Sequence, residues 1–515
     1  MSKERPKTVV FGLDGAHFEL LEPWIADGKL PNVEQAIKEG VSTDLHSVLP
    51  PVTSPNWKSY ATGKNPGKFG IFWWENIDID QRRIYYPSDR KNVEAEYWEV
   101  LSEIDDERPG VLGVPTTYPP KEVDEFVVSG APDSENTGYT YPASLEHRLR
   151  EEYDYQVTTK NELRATPNAA ADEILDLIDI RFNVAHDLFE EYNLTFLQVT
   201  TFYINSLHHY FWDHKYTLQG WQIIDKHLGK FLDEGFDVVL MSDHGANQIE
   251  CTFNINTWLE REGYLELDAG VAEFVHGLGI NRDRLLRLAS IIGLQDLAVR
   301  LTPQRIRDMI PDEQGQLIHE SKASNIDWEK TDAVASGQGP LYITHNRNSS
   351  EYDDIREELR EKLLSVKGPR GEAIVADVYR GEEVYSGQYS NEAPDLVIDQ
   401  GSGIHIPGGI GRDEIFSRPE EDGWRGENKR EGLFVATGPS FTQGETEPLS
   451  ILDLAPTLLH LRGCSVPTDM DGEVRTDIFA EESDPDRRKP TYRQVDMKMA
   501  EKRRIRQAAN QISLS

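Results

Sequence analysis

The chain has 515 residues, and its 54 basic and 90 acidic side chains leave a formal net charge of −36. That balance excludes a protein that grips nucleic acid through a general basic field. The length suffices for one large or two to three ordinary domains, with enough chain to bury a substantial core.

Hydrophobic residues make up only 38% of the chain, and the acidic ones are spread along it rather than gathered in a tail. This pattern resembles the acidity of salt-in halophile proteins, whose surface charge keeps them soluble in concentrated salt. An acidic cytosolic enzyme is the plainer reading. The two cysteines, Cys251 and Cys464, are too few for a disulfide framework and suit a reducing compartment. The opening MSKERPKTVVFGLDG enters a strand without an apolar leader. No uninterrupted apolar run reaches the ~18 residues of a membrane-spanning helix. A soluble cytoplasmic protein is expected.

In chain order, TVVFGLDG (8–15) predicts a buried strand that ends at Asp14. Residues 18–40 predict helix with a break at Gly-Lys-Leu-Pro. In PPVTSPNW (50–57), Thr53 is set between Pro51 and Pro55, ahead of a short helix ended by Gly63. Read locally, Thr53 is a helix N-cap. Trp73 and Trp74 follow, either as core residues or as a platform for a base or sugar. RPGVLGVPTTYPP (108–120) predicts a strand and a proline-rich loop. ADEILDLIDIRFNVAHDLFEEY (171–192) predicts a long amphipathic helix. NLTFLQVTTF (193–202) predicts a strand, followed by Asn205 and His209. Residues 218–235 predict helix, and FDVVLMSDHG (236–245) a strand ending in Asp243 and His244.

Strands that are continuous apolar runs, alternating with helices, predict an α/β fold: a doubly wound, mostly parallel sheet with helices on both faces. The charged stretch 268–390 reads as an insertion or cap. The main sheet is expected to resume at APDLVIDQ (393–400) and GLFVATGP (432–439), giving a discontinuous core of 1–267 and 391–480. Residues 417–432 read as a loop. The tail 481–515 turns basic after Asp486, either as a solvated segment or as one that docks to an acidic surface or anionic lipid.

Three acidic or histidine-bearing sites follow predicted strands, and in an open parallel sheet ligands bind at the carboxyl ends of strands. A single aspartate there is most often a turn residue; three together point to a site. Carboxylate and imidazole at Asp14, Asp243 and His244 suit a divalent metal, zinc or manganese. A metal there would activate the Thr53 hydroxyl, and the helix start would receive an anionic ester.

GLDGAHFELLEPWIADGKLPNVEQAIKEG and PPVTSPNWKSYATGKNPGKFGIFWWE resemble the opening and nucleophile blocks of the type I phosphodiesterase/nucleotide pyrophosphatase family of the alkaline phosphatase superfamily. VLGVPTTYPP, HHYFWD, SDHGA, NIDWEKTDA, APDLVI, GLFVATGP and ILDLAPTLLHLRGCSVPTDMDG follow in the family's order, covering the chain up to residue 480. The resemblance implies an alkaline-phosphatase-like fold, a small-molecule phosphate ester substrate, and a phospho-threonine intermediate on Thr53. It also implies two metals. Positions matching the first are Asp14, Thr53, Asp243 and His244. Those matching the second read Asn205, His209 and Asn428, so an aspartate and a histidine are replaced by amides.

Neutral amides are weak zinc ligands. The second site is expected to be empty, to hold magnesium or calcium through amide oxygens, or to use a cation such as Lys429 or Arg430 against the phosphate. Asn205 and Lys429 are the candidate substrate-binding residues. A phosphoryl-group transferase or sulfatase-like enzyme of glycan or lipid assembly is the rival activity, although Thr53-Ser54-Pro55-Asn56 lacks the sulfatase pattern Cys/Ser-X-Pro-Ser-Arg. A pseudoenzyme that only binds its ligand is the third reading; a retained Thr53 with its metal ligands argues against it.

Overall fold

In the computed structural model, residues 5–268, 319–419 and 423–494 are described. The first apolar run, Thr8–Leu13, is a strand buried along its whole length. Val9, Phe11 and Leu13 enter one apolar layer and Val10 the opposite one, as a pleated strand with period two requires. Parallel strands Phe196–Thr201 and Asp237–Met241 flank it on either side. A strand covered on both faces has no polar side to show, which explains its unbroken apolar sequence.

These strands sit at the centre of a ten-stranded, mostly parallel sheet. From one edge the order is Gly444–Glu445, Val41–His46, Glu431–Thr437, Asp237–Met241, Thr8–Leu13, Phe196–Thr201, Pro109–Leu112, Phe126–Val128 and Thr140–Tyr141. Leu449–Ser450 also pairs with Val41–His46. Helices Phe18–Ala26, Pro31–Glu39, Pro167–Glu191 and Lys215–Asp233 supply Leu20, Val33, Ile174 and Ile224 to one face. Helices Thr53–Thr62, Tyr97–Leu101 and Leu454–Leu461 supply Trp57, Trp98 and Leu458 to the other. The helix expected over 18–40 is thus two helices. Gly28, at φ 68°, turns the chain between them, and Pro31 opens the second.

Two sequence expectations need correction. Leu396–Gln400 does not rejoin the main sheet. It pairs antiparallel with Pro340–Ile343 and Val375–Arg380 in a separate four-stranded sheet. That sheet has its own apolar core, including Leu341, Leu359, Val378 and Ile398. A short apolar run such as Leu-Val-Ile carries no mark of which sheet receives it. Only Glu431–Thr437 returns, antiparallel, between Val41–His46 and Asp237–Met241. The stretch read as a loop contains a strand, Gly426–Lys429, paired antiparallel with Gly245–Gln248. Its Gly-Glu-Asn-Lys sequence has neither β-branched nor aromatic residues to announce a strand.

Residues 269–318 of the expected insertion and 495–515 of the basic tail lie outside the described residues. The described part of the tail pairs Tyr492–Arg493 with Val466–Pro467. Among the described residues no helix is long and apolar enough to cross a membrane.

Candidate active site

Adjacent parallel strands deliver the acidic residues to one rim of the sheet. The register pairs Gly12 with Met241, so Asp14 and Asp243 leave their strands side by side. His244 follows directly, and all three are buried.

Helix Thr53–Thr62 approaches this rim from the second face and is buried at all ten positions. Burial of Lys58 within it is compensated by Glu96, whose carboxylate lies 2.6 Å from the ammonium. Thr53 is the helix's first residue, not its cap. Val52 holds the cap position, and no side chain accepts from the first-turn amides. The Thr53 hydroxyl faces the strand ends instead, with Oγ1 3.3 Å from His244 Nε2. One turn further on, Trp57 Nε1 donates to Asp14 Oδ2 at 2.8 Å, which ties the helix to the first strand.

Proton placement at His244 is fixed by its surroundings. Nδ1 lies 2.8 Å from the Gly245 carbonyl oxygen, which only accepts, so Nδ1 carries the proton. Nε2 therefore presents a lone pair. It lies 3.2 Å from Asp243 Oδ2 and 3.5 Å from Asp14 Oδ1, and neither oxygen receives a hydrogen bond. Three electron-pair donors thus face one another away from water. That arrangement needs a cation or protons among them. Without a cation, burial pushes Asp14 up to about 8. Burial and then the Asp14 charge push Asp243 well above the usual carboxylate range. Burial holds His244 down at about 3. Two carboxylate oxygens and one imidazole nitrogen fit a divalent transition metal. Among the described residues they form the one such cluster of three.

Asn205, on helix Tyr203–Tyr210, packs against Gly15. A Cβ on Gly15 would lie 2.2 Å from Asn205 Oδ1, and the glycine also sits at φ 69°. Asn205 lies beside Asp14 and lowers its proton affinity. Its Oδ1 is buried without a donor, as is Asn428 Oδ1. His209 Nδ1 is 2.6 Å from the Gly426 carbonyl, and its ring stacks on Trp424 at 3.7 Å between centroids. Burial holds His209 down at about 4. Lys429 Nζ lies 3.1 Å from Glu19. Arg430 reaches Asp399 at 3.9 Å.

Sequence reasoning missed a second acidic element. Glu427 lies on the strand that was read as a loop, and it is buried. Its Oε1 accepts from Gln338 Nε2 at 2.6 Å and from the Asn428 amide at 2.8 Å, and its Oε2 accepts from His405 Nδ1. Burial alone would raise Glu427, but His405 and then His209 outweigh it and hold the carboxylate below its usual range. Gln338 is itself held by Trp73, whose Nε1 lies 3.1 Å from Gln338 Oε1. No spacing in the sequence links residues 73, 338, 405 and 427. The Trp57 contact, by contrast, was readable as one helical turn past Thr53.

The comparisons with known proteins give the family and the fold. The family model described as "Type I phosphodiesterase / nucleotide pyrophosphatase" matches residues 8–428. Two solved structures of a phosphonoacetate hydrolase from Sinorhizobium meliloti 1021 are similar in fold. The one in complex with phosphonoacetate has a TM-score of 0.53, and the one with phosphonoformate 0.52. Each is 14% identical and covers 88% of this chain and 94% of its own. No curated protein sequence matches. The family match begins with the strand that leads to Asp14 and ends at Asn428, so it spans Asp14, Thr53, Asn205, His209, Asp243 and His244. The chain therefore belongs to the type I phosphodiesterase/nucleotide pyrophosphatase family of the alkaline phosphatase superfamily, and it is a metal-dependent phosphoric ester hydrolase.

Proposed function

We propose that the chain hydrolyses a small-molecule phosphate ester with Thr53 as nucleophile and a phospho-threonine intermediate. The observation that carries this reading is the 3.3 Å approach of Thr53 Oγ1 to His244 Nε2, at an uncapped helix start. Asp14, Asp243 and His244 would hold one divalent cation, zinc or manganese, beside the hydroxyl. Bound there, a metal supplies Lewis-acid charge that lowers the hydroxyl pKa and offsets phosphate charge.

The protein's own groups do the positioning. Trp57 fixes the Asp14 carboxylate, and the Gly245 carbonyl fixes the His244 tautomer. The first-turn amides and the dipole of helix Thr53–Thr62 receive the non-bridging phosphate oxygens. Phosphoryl transfer asks mainly for such placement and charge compensation. Asn205, His209 and Asn428 face the leaving-group side without a second metal, because amides replace two of the three ligands. Lys429, whose Nζ lies 3.1 Å from the exposed Glu19 carboxylate, is the candidate cation against the phosphate.

Rapid acid quench during turnover of an aryl phosphodiester, followed by peptide mass spectrometry, tests the reading. Thr53 is expected to carry the phosphoryl group that remains after the aryl group leaves, with its second ester intact. Steady turnover with an unmodified Thr53 and an active Thr53→Ala variant would sink it.

A further inference from the structure

One ionisable pair near the site has no part in the reading above. Glu427 is fully buried and receives three hydrogen bonds, two of which fix its orientation: Gln338 Nε2 and the Asn428 amide, both on Oε1. Gln338 in turn is anchored by Trp73 and by its backbone N–H, which donates to the Ile406 carbonyl at 2.7 Å. The third bond comes from His405 Nδ1, on Oε2. The His405 side chain is 23% exposed, so its ring reaches from the buried carboxylate to solvent. With Nδ1 committed to Glu427, Nε2 points away from it and has no protein partner among the described residues. Among the described residues, Glu427 on strand Gly426–Lys429 and His209 on helix Tyr203–Tyr210 interact with His405. The adjoining strand Cys251–Phe253 brings Thr252 alongside.

The pair stands at the edge of the candidate site. The Glu427 charge acts on both His209 and His244, and its strand pairs with Gly245–Gln248, which begins one residue after His244. This is the side where two second-site ligands have become amides. A buried carboxylate that orients an imidazole, whose other nitrogen is open, is an arrangement for proton transfer.

We propose that His405 is the general acid–base of the reaction and that Glu427 is its positioning residue, compensating for the altered second site. The proposal rests on Thr53 being the nucleophile. Thr53 enters as the alkoxide, its proton already lost to water. Its Oγ forms a bond to phosphorus as the bond to the leaving oxygen breaks, and His405 Nε2–H gives its proton to that oxygen. In the second half the neutral His405 takes a proton from water. The water oxygen bonds to phosphorus, and the phosphorus–Oγ bond breaks to return the Thr53 alkoxide. For a diester, ester and water become alcohol and a phosphate monoester, and His405 ends as it began.

The test uses the metal-loaded full chain with two probes that differ only in the leaving group, 4-nitrophenyl methyl phosphate and phenyl methyl phosphate. 4-Nitrophenolate departs without help, whereas phenolate needs a proton. His405→Gln is expected to lower kcat/KM, which reports only formation of the intermediate, by about 10²–10³-fold on the phenyl ester and by less than about 10-fold on the nitrophenyl ester. It should also abolish the alkaline limb of the kcat/KM profile on the phenyl ester. Glu427→Gln should show the same selectivity, and Glu427→Asp should recover part of it. Equal losses on both probes, or no loss on the phenyl ester, overturn the proposal. Two tightly bound metals in the wild type with one lost in His405→Gln overturn it as well, because His405 is then a ligand. A methylphosphoryl group trapped on Thr53 in His405→Gln separates failure of this inference from failure of the nucleophile assignment.

Discussion

The Thr53 hydroxyl oxygen and the His244 Nε2 atom are 191 residues apart in the chain and 3.3 Å apart in the structure. Nothing local holds them there: one sits on a helix packed against one sheet face, the other at the end of a central strand. If this hydroxyl is the nucleophile, Thr53→Ala removes the reacting atom from an otherwise intact pocket. The expected loss in kcat is on the order of 10³-fold or more, with bound metal unchanged. Thr53→Ser keeps a hydroxyl and should retain measurable turnover and a phosphorylated residue. An Ala variant within 10-fold of wild type, measured as kcat, would remove Thr53 from the mechanism.

The facing lone pairs of Asp14, Asp243 and His244 carry a stability consequence. In the metal-free protein the folded Asp14 holds its proton up to about 8, while the unfolded one releases it near the ordinary carboxylate value. The folded state thus binds more protons between those limits, so its stability falls as pH rises through that window. Asp243 is shifted in the same direction. Chelator-treated protein should therefore lose Tm between about pH 5 and pH 8, and added zinc should flatten the slope. Surface acids add a pH dependence of their own, which Asp243→Asn separates. At pH 8 the metal-free variant should melt above the metal-free wild type while binding metal more weakly. A variant that melts lower at that pH contradicts the electrostatic account.

Trp57 anchors Asp14 through a single indole N–H at 2.8 Å. A donor to a ligating carboxylate sets its orientation, and removing one generally weakens metal affinity about 10–100-fold. Trp57→Phe keeps most of the buried ring and deletes only that donor. Competition with a coloured chelator should report a loss in this range. Unchanged affinity would show that the helix positions Thr53 without tuning the metal ligands.

The legible and illegible parts of this molecule differ in kind. Asp14 and the Asp243–His244 pair were readable because each follows an apolar run that can only be a buried strand, and because a parallel sheet gathers strand ends at one rim. Thr53 was readable from its proline frame and helix start. Its first local reading, as a cap, failed because the hydroxyl turns to His244 instead of the amides. Leu396–Gln400 was assigned to the wrong sheet, since period and composition do not encode which neighbour a buried strand pairs with. Glu427 and His405 stayed hidden for a different reason. Their contact depends on a four-residue polar strand held by partner backbone rather than by its own apolar side chains. A charge-rich segment of that sort is indistinguishable from a turn until its partner is known.

A net charge of −36 on 515 residues makes a further prediction about solvent. Like charges on a compact surface repel, and the range of that repulsion shrinks from about 10 Å at 0.1 M salt to about 3 Å at 1 M. Tm should rise steadily as potassium chloride is raised from about 0.1 M to about 2 M at fixed pH and metal. If the acidity reflects a high-salt environment, kcat should peak at the upper end as well. A Tm that is flat or falls over this range would leave the acidic surface without a role in salt adaptation.

The last prediction concerns Asn205 and Asn428, whose Oδ1 atoms are both buried without a donor. As amides they offer only hard, weakly held oxygens, so one tightly bound zinc per chain is expected in the wild type. Asn205→Asp alone would place a third carboxylate beside Asp14, whose proton affinity Asn205 now lowers. Like-charge repulsion in a buried site should make that single variant less stable when stripped of metal. Adding Asn428→His supplies an imidazole, and with His209 the set becomes one carboxylate and two nitrogens, sufficient for zinc. The double variant should therefore bind a second equivalent of zinc by mass spectrometry under native conditions and recover stability when loaded. It should also become less sensitive to His405→Gln, because a cation now compensates charge on the leaving oxygen. A double variant that still binds one equivalent would mean that the pocket has diverged in its backbone as well as in its two side chains.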